Sequence, residues 1–208
     1  MRYTGPKARK ARRQGANIFG SAKYDKILLR KPNAPGMQAA ERGGRPAKLS
    51  EYGKQLLEKQ KVCSMYGLTD KQLRSLYLEA SGLTGQTNQT LHSLIERRLD
   101  NALYRAGFAM TRMQSRQFVS HGLFTVNGTR VTIASYRLKK GDKIQVREAA
   151  KNSPVFGPIL TAQDKYTAPS WLQADSSTLS FTVAGLPAEE THFDQLIDMR
   201  KVIGFYSR

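Results

Sequence analysis

The sequence predicts an α+β protein: a basic N-terminal arm, a small helical domain, and a domain of two helices followed by a small, mainly antiparallel β-sheet. Three observations support this. Apolar residues recur at helical spacing in four segments between residues 50 and 121. Alternating apolar and polar residues flank the pair Asn127-Gly128, the strongest hairpin signal in the chain. Residues 1–48 contain proline and glycine breakers and little apolar periodicity.

The charge of the chain predicts a polyanionic partner. Its 208 residues carry a formal net charge of +18, which favours nucleic acid first and an anionic membrane surface second. The charge is concentrated in two zones: residues 1–50 have 13 Lys/Arg against 2 Asp/Glu, and residues 101–150 have 9 against 2. The intervening and final segments are nearly balanced, at 7 against 6 and 5 against 6. We therefore expect two basic contact regions separated by ordinary globular sequence.

Other features limit the location of the protein. No apolar run of about 18 residues is present, so we expect no membrane span. Residues 1–20 are basic but lack the apolar core of a secretory signal. Cys63 is the only cysteine, which excludes an intramolecular disulfide and a Cys-type zinc site and fits a reducing, cytoplasmic compartment. We interpret Cys63 as a small core residue rather than a reactive thiol.

The arm, residues 1–48, cannot bury enough apolar surface to fold alone, and we expect it to order against a partner. Tyr3, Phe19 and Tyr24 are interleaved with its basic residues, as in segments that stack on bases or pack in RNA grooves. The alternative is a disordered, solvated tail.

The helical domain is predicted over residues 49–90. Ser50 is a helix cap, and its helix runs through Tyr66 to a glycine stop. Thr69 caps a second helix that ends at Gly82. Residues 187–208 are apolar and mixed, and we expect this tail to pack back on the helical domain.

The third domain is predicted over residues 91–186, with its core module at 98–150. It begins with one long amphipathic helix, from Thr87 or Asn88 to the glycine at 107, on which we interpret His92 as a solvated residue. Thr111 caps the next helix, which ends near His121 and places Arg112 and Arg116 on a common exposed face.

The sheet follows this helix. Its predicted strands are Leu123–Val126, Thr129–Ile133, Lys143–Arg147 and Thr178–Val183, and residues 149–170 are expected to form a linker.

Helix and hairpin together can present one basic surface. Guanidinium groups bind phosphates in a bidentate manner, and glutamine, asparagine and histidine add hydrogen bonds to 2′-hydroxyls or base edges. The helix N-terminus at Thr111 offers backbone N–H groups for one more phosphate. A solvated charged face is the alternative, but the clustering of arginines with almost no acidic counterweight favours contact with RNA.

These residues also carry a resemblance to a known family. The string R-L-D-N…Y-R-x-G-F-A…T-R…R-Q-F-V-S-H-G…V-N-G…A-S-Y…G-D, from residue 98 onward, resembles the RNA-binding domain named after small-subunit ribosomal protein four. The segments RYTGPK, LSEYGKQLLEKQKV, PSWLQAD and FYSR are similar to bacterial members of that ribosomal family. The similarity therefore covers most of the chain, which a shared module alone would not explain.

The resemblance implies a function. It implies a primary binder of small-subunit ribosomal RNA that docks on a multi-helix junction of the 5′ domain early in assembly. Such a protein lies near the channel through which messenger RNA enters, contacts ribosomal protein five, with protein three as a further candidate neighbour, and influences decoding accuracy. It is not an enzyme and needs no cofactor. Resemblance and charge pattern together predict an RNA face comprising Arg112, Arg116, Gln117, His121, Asn127, Arg130, Arg2, Tyr3, Lys7, Arg9, Lys10, Arg12, Arg13, Lys54 and Lys59.

The chain departs from the family pattern at several positions. Ala8 stands where some members have the first of their zinc-binding cysteines, so we expect no metal. Met37-Gln38-Ala39 replaces a usual histidine and glycine, Cys63-Ser64 replaces a basic pair, and Gly204 replaces an acidic residue. Family contacts at those positions are not carried over.

Two alternative functions remain to be compared. Pseudouridine synthases carry the same module and a catalytic aspartate in a G-R-L-D motif, which Arg97-Arg98-Leu99-Asp100 resembles. Here, however, Asp100 belongs to a helix of the binding module, where we expect it to pair with Arg97 or Arg105 or to support packing, and too little sequence remains for a catalytic domain. A free-standing RNA chaperone is the second alternative, but it would not need the long arm or the FYSR tail.

Overall fold

A computed structural model describes residues 3–36, 49–151, 153–157, 159, 167–175, 177–187 and 196–207. It confirms the α+β class and divides the chain into two compact units, residues 1–82 with 194–208, and residues 83–193. In chain order the elements are α1 (Lys7–Gln14), α2 (Ala22–Arg30), α3 (Glu51–Tyr66), α4 (Asp70–Gly82), α5 (Thr87–Glu96), α6 (Leu99–Arg105), α7 (Arg112–Ser120), β1 (Phe124–Val126), β2 (Thr129–Arg130), β3 (Lys143–Val146), α8 (Glu148–Lys151), β4 (Leu172–Asp175), β5 (Ser180–Val183) and α9 (Met199–Tyr206). None of the described helices is long and apolar enough to cross a membrane.

The two predicted helices of the first unit are confirmed, with their caps. The hydroxyl of Ser50 accepts a hydrogen bond from the backbone N–H of Gly53 at 3.1 Å at the start of α3. Thr69 and Gln72 form a reciprocal capping box before α4, with N···O distances of 3.0 and 3.3 Å. The cap residue after α3 is Gly67, at φ 63°.

The arm differs from the expectation that it orders only against a partner. It contains α1 and α2, and Ala11 and Ile18 are buried. The side-chain amide of Gln14 donates to the carbonyl of Leu57 on α3 at 3.4 Å. Gly15, at φ 64°, is the left-handed residue that ends α1.

Helix α9 packs against α3 and α4. Tyr206 donates its hydroxyl to the carboxylate of Asp70 at 3.1 Å and stacks on Tyr77, with ring centroids 5.2 Å apart. The ring of Phe205 lies 5.6 Å from that of Tyr52. Helix α9 is therefore a packed element of this unit.

The second unit contains an antiparallel sheet with strand order β2-β1-β3-β5-β4. Alternate residues of β1, β3 and β5 are buried and join the core formed with α6 and α7. The predicted type I′ turn is confirmed, since Asn127 and Gly128 have φ values of 49° and 82°. The hairpin thereby places β2 at one edge of the sheet.

Several predictions for this unit are wrong in detail. The single helix from residue 87 to 106 is interrupted between α5 and α6. Strand β2 ends at Arg130 rather than Ile133, and β5 begins at Ser180 because Leu179 lies in a turn at φ 51°. The expected linker at 149–170 instead contributes Phe156 and Ile159, each 1% exposed, to the core.

Candidate nucleic-acid interface

The interruption between α5 and α6 is caused by a contact that is distant in sequence. Arg98 has extended backbone and forms an isolated antiparallel bridge with Arg137. The backbone N–H of Leu99 donates to Tyr136 at 2.8 Å, and that of Leu138 donates to Arg97 at 2.9 Å. Residues 97–100 thus pair with the loop before β3 and place the first turn of α6 beneath α7.

A buried carboxylate lies at the end of α5. Glu96 is 2% exposed and accepts from the Nε and Nη2 atoms of Arg105, both at 3.0 Å, and from the amide of Asn101 at 2.7 Å. Burial opposes its ionisation, but the charges of Arg105, Arg112 and His92 and the hydrogen bonds of Arg105 outweigh that effect and lower the pKa of Glu96 to about 2. The expected solvated position of His92 is wrong, since it is buried, with Nε2 lying 3.8 Å from Glu96 Oε1.

Asp100 is also buried and binds two arginines. It accepts from Arg98 in a bidentate manner at 3.1 and 2.8 Å, and from Arg116 Nη1 at 3.3 Å. The expected pairing with Arg97 or Arg105 is therefore wrong. Ser115 on α7 donates its hydroxyl to the carbonyl of Asp100, so α6 and α7 are joined at this residue.

Arg112 and Arg116 are held against α6 rather than standing freely on an exposed face. Arg112 Nε donates to the side-chain oxygen of Asn101 at 2.9 Å, and its guanidinium lies 4.5 Å from the ring centre of Tyr104. The side chain of Arg116 is 28% exposed. A common exposed face was predicted, whereas both side chains are half-buried, because acceptors on α6 draw them inward.

The C-terminal half of α7 is more exposed. Gln117 and His121 are exposed, and Arg130 from the hairpin donates to the carbonyl of His121 at 3.4 Å. Arg147 donates to the carbonyl of Gly122 at 3.3 Å. The guanidinium groups of Arg130 and Arg147 therefore bind carbonyls at the C-terminal, negative end of α7. The bond to His121 also holds Arg130 beside the exposed Gln117 and His121.

Both the backbone conformation at position 122 and the neighbouring Arg130 favour glycine over a residue with a side chain. Its φ is 67°, and a Cβ at this position would collide with the guanidinium of Arg130. We expect Gly122→Ala to destabilise the second unit by about 1–2 kcal/mol and to displace Arg130. Urea unfolding measures the first effect. Gly141→Ala is the matched control, because its φ is 89° with no neighbour within 4 Å of the added Cβ.

The displacement of Arg130 has its own readout. Gly122→Ala should weaken RNA binding as much as Arg130→Ala, and the double variant should bind no more weakly than either single variant. If the effects of the two substitutions on affinity add, the displacement is refuted.

The Asn127 side chain is engaged within the turn region. Its Oδ1 accepts from the backbone N–H of Lys143 at 2.9 Å, and its Nδ2 donates to Asp142 at 2.9 Å. These hydrogen bonds give Asn127 a structural role, because they join the turn to Asp142 and Lys143. Its role as an RNA contact stays a prediction. The loop before β3 and the start of that strand also carry exposed lysines that the sequence-based set missed, namely Lys139, Lys140 and Lys143. Their signal was present as the run Lys-Lys-Gly-Asp-Lys.

Residues 101–147, described throughout, contain Asp142 as their single acidic residue. Asp142 is 9% exposed, and its carboxylate accepts from Asn127 and from the backbone N–H of Lys139 at 2.7 Å. The surface of α7, the hairpin and the following loop therefore presents arginine and lysine without an exposed carboxylate.

The candidates in the first unit fall into two groups. Arg9 and Arg13 are exposed on α1. Tyr3 and Lys54 are exposed as well, and Lys10 and Arg12 are half-buried, but each of these four contacts a neighbouring group. The neighbours are Pro6 for Tyr3, Ser64 and the Tyr3 ring for Lys10, Lys31 and Asn33 for Arg12, and Glu51 for Lys54. Lys7 is half-buried, and Arg2 lies outside the described residues. These positions leave the RNA contacts of the arm as predictions.

Lys59 has a clear structural role. Its side chain is 12% exposed, its Nζ lies 2.7 Å from Asp70, and it lies over the ring of Phe205 at 4.4 Å. It therefore joins α3, α4 and α9, and its predicted RNA contact gains no support from this position.

Metal chemistry and thiol reactivity find no support in the described part of the chain. No cluster of three or more histidine, cysteine or acidic residues that could hold a metal occurs there. Burial and the charge of Asp70 raise the pKa of Cys63 to about 11, so the thiol stays protonated at neutral pH. The departure at Met37-Gln38-Ala39 lies outside the described residues, and a Cβ at Gly204 would lie 3.0 Å from the amide of Gln55.

Comparisons with known proteins agree with this architecture. Residues 2–96 match the family described as the ribosomal protein S4/S9 N-terminal domain, and residues 97–144 match the S4 domain, an RNA-binding module. Small ribosomal subunit protein uS4 of Borrelia turicatae (strain 91E135) is 40% identical over 203 residues, covering 97% of this chain and 96% of that protein. The protein of the same name from Persephonella marina is 42% identical over 207 residues, covering 99% and 98%. The chain therefore belongs to the family of small ribosomal subunit protein uS4, which is a family of RNA-binding ribosomal proteins and not of enzymes.

Proposed function

We propose that this protein is a primary binder of small-subunit ribosomal RNA that nucleates assembly of the small ribosomal subunit. The observation that carries the proposal is the surface of residues 101–147, where basic side chains occur without an exposed carboxylate. A phosphate backbone is the partner such a surface attracts most strongly. The relatives, each named as a small ribosomal subunit protein, support the same assignment.

The mode of binding follows from the geometry of α7 and the hairpin. Arg112, Arg116 and Arg130 bind phosphates, while Gln117 and His121 donate to or accept from 2′-hydroxyls or base edges. Shape, rather than base sequence, supplies the specificity, because A-form RNA exposes its 2′-hydroxyls in a wide, shallow minor groove. The arm provides a second contact through exposed residues of α1.

The position in the ribosome is a further part of the proposal. The protein lies near the channel through which messenger RNA enters, contacts ribosomal protein five and, as a further candidate, protein three, and contributes to decoding accuracy in the cytoplasm. Affinity purification of the chain from cells distinguishes this function from that of a free RNA chaperone. A constant one-to-one stoichiometry with small subunits is expected, and a large free pool would contradict the proposal.

The salt dependence of binding reports how electrostatic the contact is. If six to ten phosphates are neutralised, affinity for ribosomal RNA should fall roughly 10³–10⁵-fold between 50 and 200 mM salt, by analogy with duplex DNA. Titrations with a 5′-domain transcript of small-subunit RNA at four salt concentrations give the slope. A slope near zero would show that the basic surface is not the docking face.

A further inference from the structure

We propose that Asp100 and Asn101 are positioning residues, which hold the guanidinium groups of Arg116 and Arg112 in the orientation that binds RNA. The inference rests on the proposed function and deepens it. Both residues lie in the first turn of α6 and are buried, at 4% and 3% exposed. They therefore act on RNA only through the arginines, and we call them the acceptor pair.

The orientation of Asn101 is fixed by its other bonds. Its Nδ2 donates to the carboxylate of Glu96 at 2.7 Å and to the Glu96 carbonyl at 3.2 Å. Both partners are acceptors, so exchanging the amide oxygen and nitrogen would place acceptor against acceptor. The oxygen must then face Arg112, whose Nε donates to it at 2.9 Å. The buried carboxylate of Glu96 thus sets the direction in which Arg112 is held.

Asp100 acts similarly on Arg116. Its carboxylate is fixed by the bidentate bond from Arg98, with N···O distances of 3.1 and 2.8 Å, and Arg116 Nη1 approaches the same carboxylate at 3.3 Å. A guanidinium has five N–H donors in a rigid, planar fork, so a contact at one nitrogen fixes the orientation of the whole group. Fixing a side chain of high rotamer entropy before binding reduces the entropy lost when RNA binds.

The direction in which Asp100→Asn changes RNA affinity distinguishes positioning from a purely electrostatic effect. Asp100→Asn removes a negative charge, so a carboxylate that acts only through its charge would weaken RNA binding, and its removal would strengthen the complex. Positioning predicts the reverse. We expect Asp100→Asn to weaken binding of a 5′-domain transcript roughly five- to tenfold, because Arg116 loses its fixed orientation.

A double-mutant cycle tests whether Asp100 affects RNA binding through Arg116. Full-length variants are compared under conditions in which the fluorescence of the buried Trp171 shows the second unit folded. Asp100→Asn should retain its effect in an Arg130→Ala background and lose it in an Arg116→Ala background. Arg130 is the matched control because its described hydrogen bond goes to His121 and not to Asp100. Equal losses in all backgrounds, or tighter binding by Asp100→Asn, would overturn the inference.

A second cycle keeps the proposal testable if Asp100→Asn does not fold. Asn101→Ala leaves the ion pair of Glu96 with Arg105 in place, and its effect on RNA binding should disappear in Arg112→Ala but persist in Arg130→Ala. Additive losses would again refute positioning. Failure of the proposed function would look different, since Arg112→Ala and Arg116→Ala would then leave RNA affinity unchanged by themselves.

Discussion

Replacing Glu96 with glutamine is expected to lower the free energy of unfolding of the second unit by about 3 kcal/mol at pH 7. The substitution keeps the shape of the side chain and removes the charge that compensates Arg105. Because the pKa of Glu96 is lowered from 4.5 to about 2, its contribution is fully present above about pH 4.5 and is lost as pH falls from there towards 2. The stability difference between wild type and Glu96→Gln should therefore shrink over that interval.

Trp171 makes this measurement specific to the second unit. It is the single tryptophan of the chain, it is 4% exposed, and it belongs to the core of that unit. Urea unfolding followed by its fluorescence at pH 7, 5 and 3 gives the stability difference. Glu148→Gln is the control, because this exposed residue pairs with Lys151 across one turn and should contribute below about 1 kcal/mol. Equal effects of the two substitutions at pH 7 would contradict the role of Glu96.

The double substitution Arg112→Ala with Arg116→Ala is expected to weaken binding to small-subunit ribosomal RNA about 100-fold at physiological salt. Two charge-assisted contacts to phosphate are lost, each worth about 1–2 kcal/mol. The salt slope should also become shallower, by about one for each phosphate contact removed. The second unit should remain folded because Asp100 keeps its bidentate bond from Arg98, with a stability loss of about 1–2 kcal/mol.

A matched control removes the same charge elsewhere. Lys71 and Arg74 are exposed one turn apart on α4, outside the predicted RNA face. Lys71→Ala with Arg74→Ala should weaken binding only a few-fold, through long-range electrostatics. Unfolding of the Arg112/Arg116 variant would show that the two arginines are structural, and equal losses in the two double variants would show that net charge alone matters.

Local signals were sufficient to predict much of the fold. Ser50, Thr69 and Thr111 cap helices as predicted, and the Asn127-Gly128 pair forms the expected turn, because each depends on hydrogen bonds or backbone angles within a few residues. Charge also marked α7 as the basic helix of the candidate site.

The remaining features depend on contacts that local patterns do not encode. The break between α5 and α6 has no glycine or proline, and it exists because Arg98 pairs with Arg137, 39 positions later in the sequence. The helical period placed His92, Glu96 and Asp100 on a polar face, but α7 and its arginines cover part of that face. His92 was therefore predicted to be solvated where it is buried. Asp100 was expected to pair with Arg97 or Arg105 or to support packing, and the acceptor pair was missed.

We expect the basic surface of α7 and the hairpin to dock on one site of small-subunit ribosomal RNA. Chemical footprinting of that RNA with the purified full-length protein tests it most directly. Protections confined to a multi-helix junction of the 5′ domain, and lost with Arg112→Ala/Arg116→Ala but not with Lys71→Ala/Arg74→Ala, are the predicted result. Protections scattered without a preferred site, or unchanged by the α7 substitutions, would contradict it.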